Sequence, residues 1–187
     1  MAITYPTSLD TFTNPLSTDL LTSPDHATQH ANINDAVEAL ETKVAIGNTV
    51  IGAWINYTPT WTGSTTNPVI GNGTIEGRYA LVNGFVVAQI NIICGSTTTF
   101  GSGGYFFSLP VTAAATLTGY PGIGSGWLED ASATRAVIVV ANVHNSGTTT
   151  FSLRNNSTTA SGQVTESQPF IFANADRISA TINYKAA

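Results

Sequence analysis

Residues 73–93 read GTIEGRYALVNGFVVAQINII, and this stretch decides the fold class. Apolar and polar residues alternate on both sides of Asn83-Gly84, which is the period of half-buried strands. Asn-Gly between two such runs favours a two-residue hairpin with a type I′ turn. The stretch therefore predicts two antiparallel strands, at 73–82 and 85–93.

The chain on either side of this hairpin, from residue 51 onward, repeats the pattern in shorter runs. Clusters of Gly, Ser, Asn and Pro separate the runs, as they separate the strands of sandwiches and barrels. We therefore expect residues 51–187 to form a mainly β head domain, an antiparallel β-sandwich of jelly-roll type. Its further strands are expected at 54–60, 104–109, 123–128, 136–143, 148–154, 169–172 and 177–184.

Upstream of the β region, residues 23–46 predict one short helix. Ser23 is a good N-cap, Pro24 suits the first helical position, and Gly47 supplies the stop. Apolar residues then follow at spacings of four, three and four, which is an a/d seam. Extended backwards, the seam also meets two histidines. Its residues are His26, His30, Ile33, Val37, Leu40 and Val44.

This seam has two interpretations. The helix can pack its apolar stripe on its own β domain, or the stripes of several chains can meet as a short coiled coil. A helix this short is marginal alone, so a coiled coil needs the adjoining domains to hold the chains together. We favour self-association, although the a/d residues do not fix the number of chains.

Residues 1–22 show neither the helical nor the strand period, and they mix turn formers with large apolar side chains. A frayed terminus is one interpretation. The other, which we favour, is an extended anchor arm that orders on a partner surface. The particle-anchoring residues of that arm would be Leu9, Phe12, Leu16, Leu20 and Leu21.

The composition of the 187 residues supports a β protein with an uncharged surface. Hydrophobic residues make up 42% and charged residues 9% of the chain, whereas charged residues are roughly 25% of ordinary soluble domains. Residues 1–45 carry the whole formal net charge of −5. The few scattered cations form no stripe that could track phosphates, so we expect no direct binding of nucleic acid. This acidic N-terminal quarter of the chain suits a basic surface on a partner instead.

No targeting or membrane segment is recognisable. The N-terminus lacks a cationic start followed by an apolar run, so no secretory signal is expected. No apolar run approaches the ~20 residues of a membrane span, so no membrane insertion is expected. The single cysteine, Cys94, falls at an apolar strand position and predicts a buried, inert thiol. We expect synthesis in a cytoplasm.

The residues available for catalysis are few, and we expect neither an enzyme, nor a cofactor, nor a bound metal. His26 and His30 lie one helical turn apart but have no third ligand nearby in sequence. No Gly-x-Ser-x-Gly elbow frames a nucleophile. The adjacent acids Glu129 and Asp130 suit a solvated turn better than a calcium or glycosidase site.

Aromatic residues of the β region are the candidates for stacking on sugar rings. Most large aromatic side chains are expected in the core, so only one or two of them should be exposed. Trp54 falls where the helix meets the β region and can close that junction. The residues that we regard as possible glycan contacts are Tyr57, Trp61, Tyr120 and Trp127.

Several short motifs, in consistent order, resemble known proteins. The N-terminal segment resembles that of many tailed-bacteriophage virion proteins, and the remainder is similar to a β domain of phage fibre and spike proteins. The first resemblance rests on YPTSLD (5–10), NP (14–15), PDHATQHA (24–31) and NDAVEAL (34–40). The second rests on YTPTW (57–61), GNG (71–73), GRY (77–79), FSLP (107–110) and ISATINY (178–184).

This resemblance implies a structural virion protein, usually a homotrimer. Its arm would bind other virion proteins of the capsid or the tail, its helix would trimerise, and its β domain would project outward. Because the chain ends soon after the β domain, we expect a short spike or a capsid decoration rather than a long fibre. The alternative is a receptor-binding adhesin of the tail, whose head binds a host-surface glycan; exposed, clustered aromatic residues would favour it.

Overall fold

The computed structural model describes residues 26–44, 52–115, 122–143, 148–155 and 162–187. The chain divides into two compact units, Met1–Ala53 and Trp54–Ala187. The described part of the first unit is a helix, α1 (His26–Val44). The second unit, which we call the β unit, contains the strands.

Helix α1 lies inside the range predicted for it, and its residues explain why it forms. Alanine is the strongest helix former, and it recurs along the helix at Ala27, Ala31, Ala36 and Ala39. The N-cap expected at Ser23 lies outside the described residues. Within the described part of the chain, no helix is long and apolar enough to cross a lipid bilayer.

Nine strands make up the described part of the β unit. Each strand except β2 lies in or close to a range that the alternation of apolar and polar residues predicts. Their bounds are β1 (Ile55–Tyr57), β2 (Trp61–Gly63), β3 (Thr74–Val82), β4 (Phe85–Ile93), β5 (Tyr105–Ser108), β6 (Gly122–Asp130), β7 (Arg135–Val143), β8 (Thr150–Asn155) and β9 (Arg177–Lys185).

Two details of the strand prediction are wrong. The segment 169–172 is not a strand, since Pro169 has no N–H for a ladder and Phe172 instead donates its N–H to Glu166 in a turn, at 3.1 Å. Strand β2 was not predicted, because a three-residue strand is too short to show a period. It forms through its pairing with β5, where Trp61 lies opposite Phe107.

The hairpin expected at Asn83-Gly84 is confirmed. Val82 pairs with Phe85, so the loop contains two residues. Asn83 and Gly84 have φ angles of 49° and 77°, and positive φ at both central residues is the mark of a type I′ turn. A Cβ at Gly84 would meet nothing within 4 Å, so glycine is required there by conformation rather than by space.

In the described residues the strands form one antiparallel sheet, in the order β1-β3-β4-β9-β6-β7-β8-β5-β2. The two edge strands, β1 and β2, are neighbours in sequence, with only residues 58–60 between them. A residue spans at most about 3.6 Å, so this short connection brings the two edges together and the sheet curls into a half-barrel. The expectation of a mainly β, antiparallel fold is confirmed at this level.

The core lies inside the curled sheet and follows the alternation of its strands. Val86, Ala88, Ile90 and Ile92 of β4 are buried. The opposite face of the sheet carries the alternate residues. The inner residues that face those of β4 across the β4–β9 ladder are Tyr184, Ile182, Ala180 and Ile178.

One end of the core is aromatic. The Trp61 ring stacks with Phe107 at 6.4 Å between centroids and meets Tyr105 edge-on at 5.0 Å. Such offset and edge-on pairs add about 0.5–1.5 kcal/mol each beyond the burial of their area. Cys94 is 2% exposed, as expected for a structural thiol, and its burial raises the pKa of the thiol to about 12.

Candidate binding groove

A groove crosses the face of the sheet that lies opposite the core. Its volume is about 1080 Å³, and it runs over β1, β3, β4, β9, β6 and β7. Most of its lining consists of the outward side chains of these strands, which alternate with the core residues. The principal ones are Asn56, Thr58, Glu76, Arg78, Gln89, Asn91, Ser125, Trp127, Ile138, Ser179 and Thr181.

The floor of the groove contains a row of hydrogen-bonded polar side chains. Glu76, Asn91 and Ser179 lie directly opposite one another on β3, β4 and β9. The Asn91 amide donates to Glu76 Oε1 at 3.3 Å, and the Ser179 hydroxyl donates to Asn91 Oδ1 at 2.8 Å. Ser179 in turn lies opposite Trp127 of β6. The row thus runs from a carboxylate to an indole ring.

A second row lies two residues further along the strands. Arg78 Nε donates to Gln89 Oε1 at 2.9 Å, and Gln89 lies opposite Thr181 of β9. The Arg78 guanidinium also lies over the Trp54 ring, 4.9 Å from its centroid. A guanidinium over an indole face is a favourable cation–π arrangement. These contacts hold the Arg78 side chain at the β1 end of the groove.

One exposed tryptophan, Trp127, lines the β6 end of the groove, and a second, Trp54, lies beside its lining residue Arg78. Trp54 and Trp127 are each 48% exposed, although large aromatic side chains are more often buried. Strand β1 is four inter-strand steps from β6. At about 4.8 Å for each step, the two ends are roughly 19 Å apart along the sheet. Ile138, which pairs with Trp127 and is 70% exposed, completes an apolar wall at the β6 end.

The electrostatics of the groove are balanced. Glu76 and Arg78 are the charged side chains among the described residues that line it, so their formal charges cancel. The remaining lining groups are hydroxyls, amides and aromatic or aliphatic surface. Amides and hydroxyls both donate and accept hydrogen bonds, so the groove can meet a neutral polar ligand without leaving either partner unpaired.

The four predicted glycan contacts are placed differently by the structure. Trp127 lies in the groove and is about half exposed. Tyr57 also lines the groove but is only partly exposed and packs edge-on against Tyr79 at 5.9 Å. Trp61 is 6% exposed inside the aromatic core, which leaves no ring face for a sugar. Tyr120 lies outside the described residues.

The residues predicted for self-association lie on α1. Ile33, Val37 and Leu40 are 53%, 47% and 50% exposed and fall on one stripe of the helix. The rings of His26 and His30 meet edge-on, with their Nε2 atoms 3.1 Å apart. The side chain of Val44 lies outside the described residues. So do the particle-anchoring residues Leu9, Phe12, Leu16, Leu20 and Leu21.

The acidic side chains of the β unit have structural partners. Glu129 lies 3.5 Å from Arg177, while Asp130 Oδ1 accepts hydrogen bonds from Ser132 and Ala133 in the β6–β7 turn. The described residues contain no group of three or more His, Cys, Asp or Glu side chains arranged to hold a metal ion. The adjacent acids therefore stabilise a turn and a strand pair.

The polar rows of the groove were not predicted from the sequence. Glu76, Arg78, Gln89 and Asn91 occupy alternate, outward positions of the hairpin that the sequence did predict. That alternation was the available signal. It could not show that β9 and β6 lie beside this hairpin, because those pairings join segments far apart in the chain.

No protein-family description, curated protein or solved structure matches this chain. The resemblance to phage fibre and spike proteins therefore rests on the short motifs alone.

Proposed function

We propose that the chain is a structural protein of a tailed-bacteriophage particle, a short homotrimeric spike, fibre or decoration. The copies associate through α1, and the β unit faces outward. Support comes from the order of the virion-like motifs and from the apolar surface of α1. The chain would be made in the host cytoplasm and would reside in the virion.

The apolar stripe of α1 is the observation that carries this proposal. Ile33, Val37 and Leu40 are each about half exposed, and their spacing of four and three is that of a coiled-coil seam. Burial of a large aliphatic side chain is worth roughly 1.5–3 kcal/mol. A coiled coil of α1 helices from several chains would cover the stripe and recover that free energy.

Attachment to the particle is assigned to residues 1–22. Their large apolar side chains would occupy a groove on another capsid or tail protein, and three arms held in one trimer would raise avidity through effective concentration. The acidic residues of the arm suit a basic partner surface.

For the β unit we propose the finer description of a jelly-roll-like sandwich. The connection of the two edge strands through residues 58–60 supports it. In such a sandwich the two halves of the curled sheet would face each other around the core. In a trimer, three such units would form the outer part of the spike.

Sedimentation of the full chain tests the self-association. At micromolar concentration we expect the mass of three chains. Changing Val37 and Leu40 together to Asp should abolish association, because the seam would then bury unpaired like charges. Ala31→Asp is the matched control: it adds a charge to an exposed position on the opposite side of α1 and should leave the trimer intact. A wild-type monomer, or a trimer that survives the double change, would contradict the proposal.

A second candidate function is favoured by the groove. A smooth outer surface rich in Ser and Thr would suit a passive decoration, whereas Trp127 is exposed beside the polar floor of the groove and Trp54 is exposed beside its lining residue Arg78. Under this second candidate function, the same trimer is a tail adhesin whose β unit binds a host-surface glycan.

A further inference from the structure

We propose that the groove binds a neutral oligosaccharide, which lies across the strands from Arg78, beside the Trp54 ring, to Trp127. This inference rests on the second candidate function and specifies its ligand. It does not depend on attachment to a particle or on the number of chains, since the groove is formed within one β unit.

The chemistry of the groove fits the two kinds of surface on a sugar ring. The C–H face of a sugar is apolar, and an exposed indole ring offers a flat apolar surface for it. The hydroxyl edge needs neighbouring donors and acceptors, which amide, guanidinium and carboxylate groups provide. Trp127 and the Glu76–Asn91–Ser179 row place both surfaces side by side, since Ser179 pairs directly with Trp127.

The charge balance favours a neutral ligand. An acidic sugar drawn to Arg78 would also meet the Glu76 carboxylate, which lies on the same face of β3 two residues away. Arg78 is, moreover, already held by Gln89 and by the Trp54 ring. A neutral hydroxyl can use both charged groups as hydrogen-bond partners, and such bonds are the stronger ones.

The dimensions indicate an oligosaccharide rather than a single sugar. The volume of about 1080 Å³ is at the upper end of ordinary ligand sites. Strands β1 and β6 lie roughly 19 Å apart across the sheet, and Trp54 lies just before β1 whereas Trp127 lies on β6, so a single sugar ring could not reach both. A chain of several rings would contact both and cross the polar rows between them.

A second copy of this chain is the competing occupant. Trp127 and Ile138 form an apolar wall that a neighbouring β unit could cover in the trimer. The polar floor argues against this, because its donors and acceptors would need matched partners across a protein interface.

The test uses the full chain and an array of immobilised linear oligosaccharides. The array contains neutral glucose, mannose, galactose and N-acetylglucosamine chains, with sialylated and sulfated chains for comparison. We expect binding to at least one neutral chain. Titration of the same free oligosaccharide should change the tryptophan fluorescence.

The variants localise the binding. Trp127→Ala should weaken it about tenfold, equivalent to about 1.4 kcal/mol, and Trp127→Phe should recover part of that loss. Asn91→Ala should also weaken it, because it removes the link between Glu76 and Ser179. Ile171→Ala is the matched control, since Ile171 is 77% exposed and does not line the groove. Unchanged thermal midpoints would show that the variants fold.

Three results would overturn the proposal: no binding to any neutral chain, binding to the acidic chains alone, or equal affinity of Trp127→Ala and wild type. If, in addition, Trp127→Ala dissociates the trimer, the groove is an interface between copies. Sedimentation of the wild-type chain reports separately on self-association, so the glycan inference can fail while the structural role stands.

Discussion

Apolar side chains are buried in the core of the β unit but exposed on α1. In the β unit Val86, Ile92 and Ile182 have no exposed surface. On α1, Ile33, Val37 and Leu40 are 47–53% exposed. The curled sheet encloses its own core, whereas a single amphipathic helix has no second surface within itself to cover its stripe.

This difference predicts that the stability of the β unit and the stability of α1 depend differently on protein concentration. The free energy of unfolding of the β unit should come from contacts within one chain and should not depend on protein concentration. The stability of α1 should include the free energy of association, so it should rise with concentration. Substitutions in the core and on the surface of the β unit test whether it is stable on its own.

Removal of a core aromatic ring should have the largest effect. Phe151 is 1% exposed and packs against Phe107 with centroids 5.4 Å apart. Phe151→Ala should lower the free energy of unfolding of the β unit by about 3–5 kcal/mol, measured by denaturant titration at two protein concentrations. Phe151→Leu should cost less because it leaves a smaller cavity. If the loss differs between the two concentrations, the β unit depends on its neighbours and the comparison with α1 fails.

Much of the fold could be predicted because its signals are local. The Asn83-Gly84 turn and the alternation beside it fix a hairpin from adjacent residues alone. The spacing of Ile33, Val37 and Leu40 likewise marks the stripe of α1. Strand β2 carries no such signal, since Trp61 is held by Phe107 and Tyr105, more than forty residues away.

The candidate site could be predicted less well, because it depends on contacts between segments far apart in the chain. The exposure of Trp127 and the burial of Trp61 follow from which face of the sheet each residue occupies. For Trp61, a three-residue strand is too short to reveal that face. The polar rows need the β4–β9–β6 order, which is set by long-range pairing and not by the residues beside Glu76 or Asn91.

Loss of a buried carboxylate should have an intermediate effect. Asp176 has no exposed surface and accepts hydrogen bonds from the backbone N–H groups of Ala131 at 2.9 Å and Ala173 at 2.7 Å. Asp176→Ala leaves both donors unpaired and should cost about 1–3 kcal/mol in thermal or denaturant unfolding. Asp176→Asn keeps one acceptor but turns an NH2 donor toward the other backbone N–H, so it should also destabilise the fold, by a comparable amount. A neutral effect of the Ala variant would show that water replaces the carboxylate.

The same residue predicts a dependence on pH. Burial raises the pKa of Asp176 above the ordinary value of 3.8, against the opposing effect of its two backbone hydrogen bonds. Between the ordinary and the raised pKa the folded chain binds more protons than the unfolded chain, so the free energy of unfolding should fall as pH rises through this window. Asp176→Asn should remove that part of the slope. A wild-type slope equal to that of the Asn variant would contradict the raised pKa.

Neutralisation of a surface charge should have the smallest effect. Glu129 and Arg177 lie 3.5 Å apart on paired positions of β6 and β9, with side chains 39% and 54% exposed. Exposed pairs contribute only about 0–1 kcal/mol, because water and salt screen them and both side chains lose rotamer freedom. Glu129→Gln should therefore change the free energy of unfolding by less than about 0.5 kcal/mol, and a double-mutant cycle with Arg177→Gln should give a coupling of similar size. A coupling well above about 1 kcal/mol would show that charges on the outer face stabilise the β unit alongside its core. The β unit would then differ from α1 in its stabilising cross-strand contacts as well as in its buried apolar area.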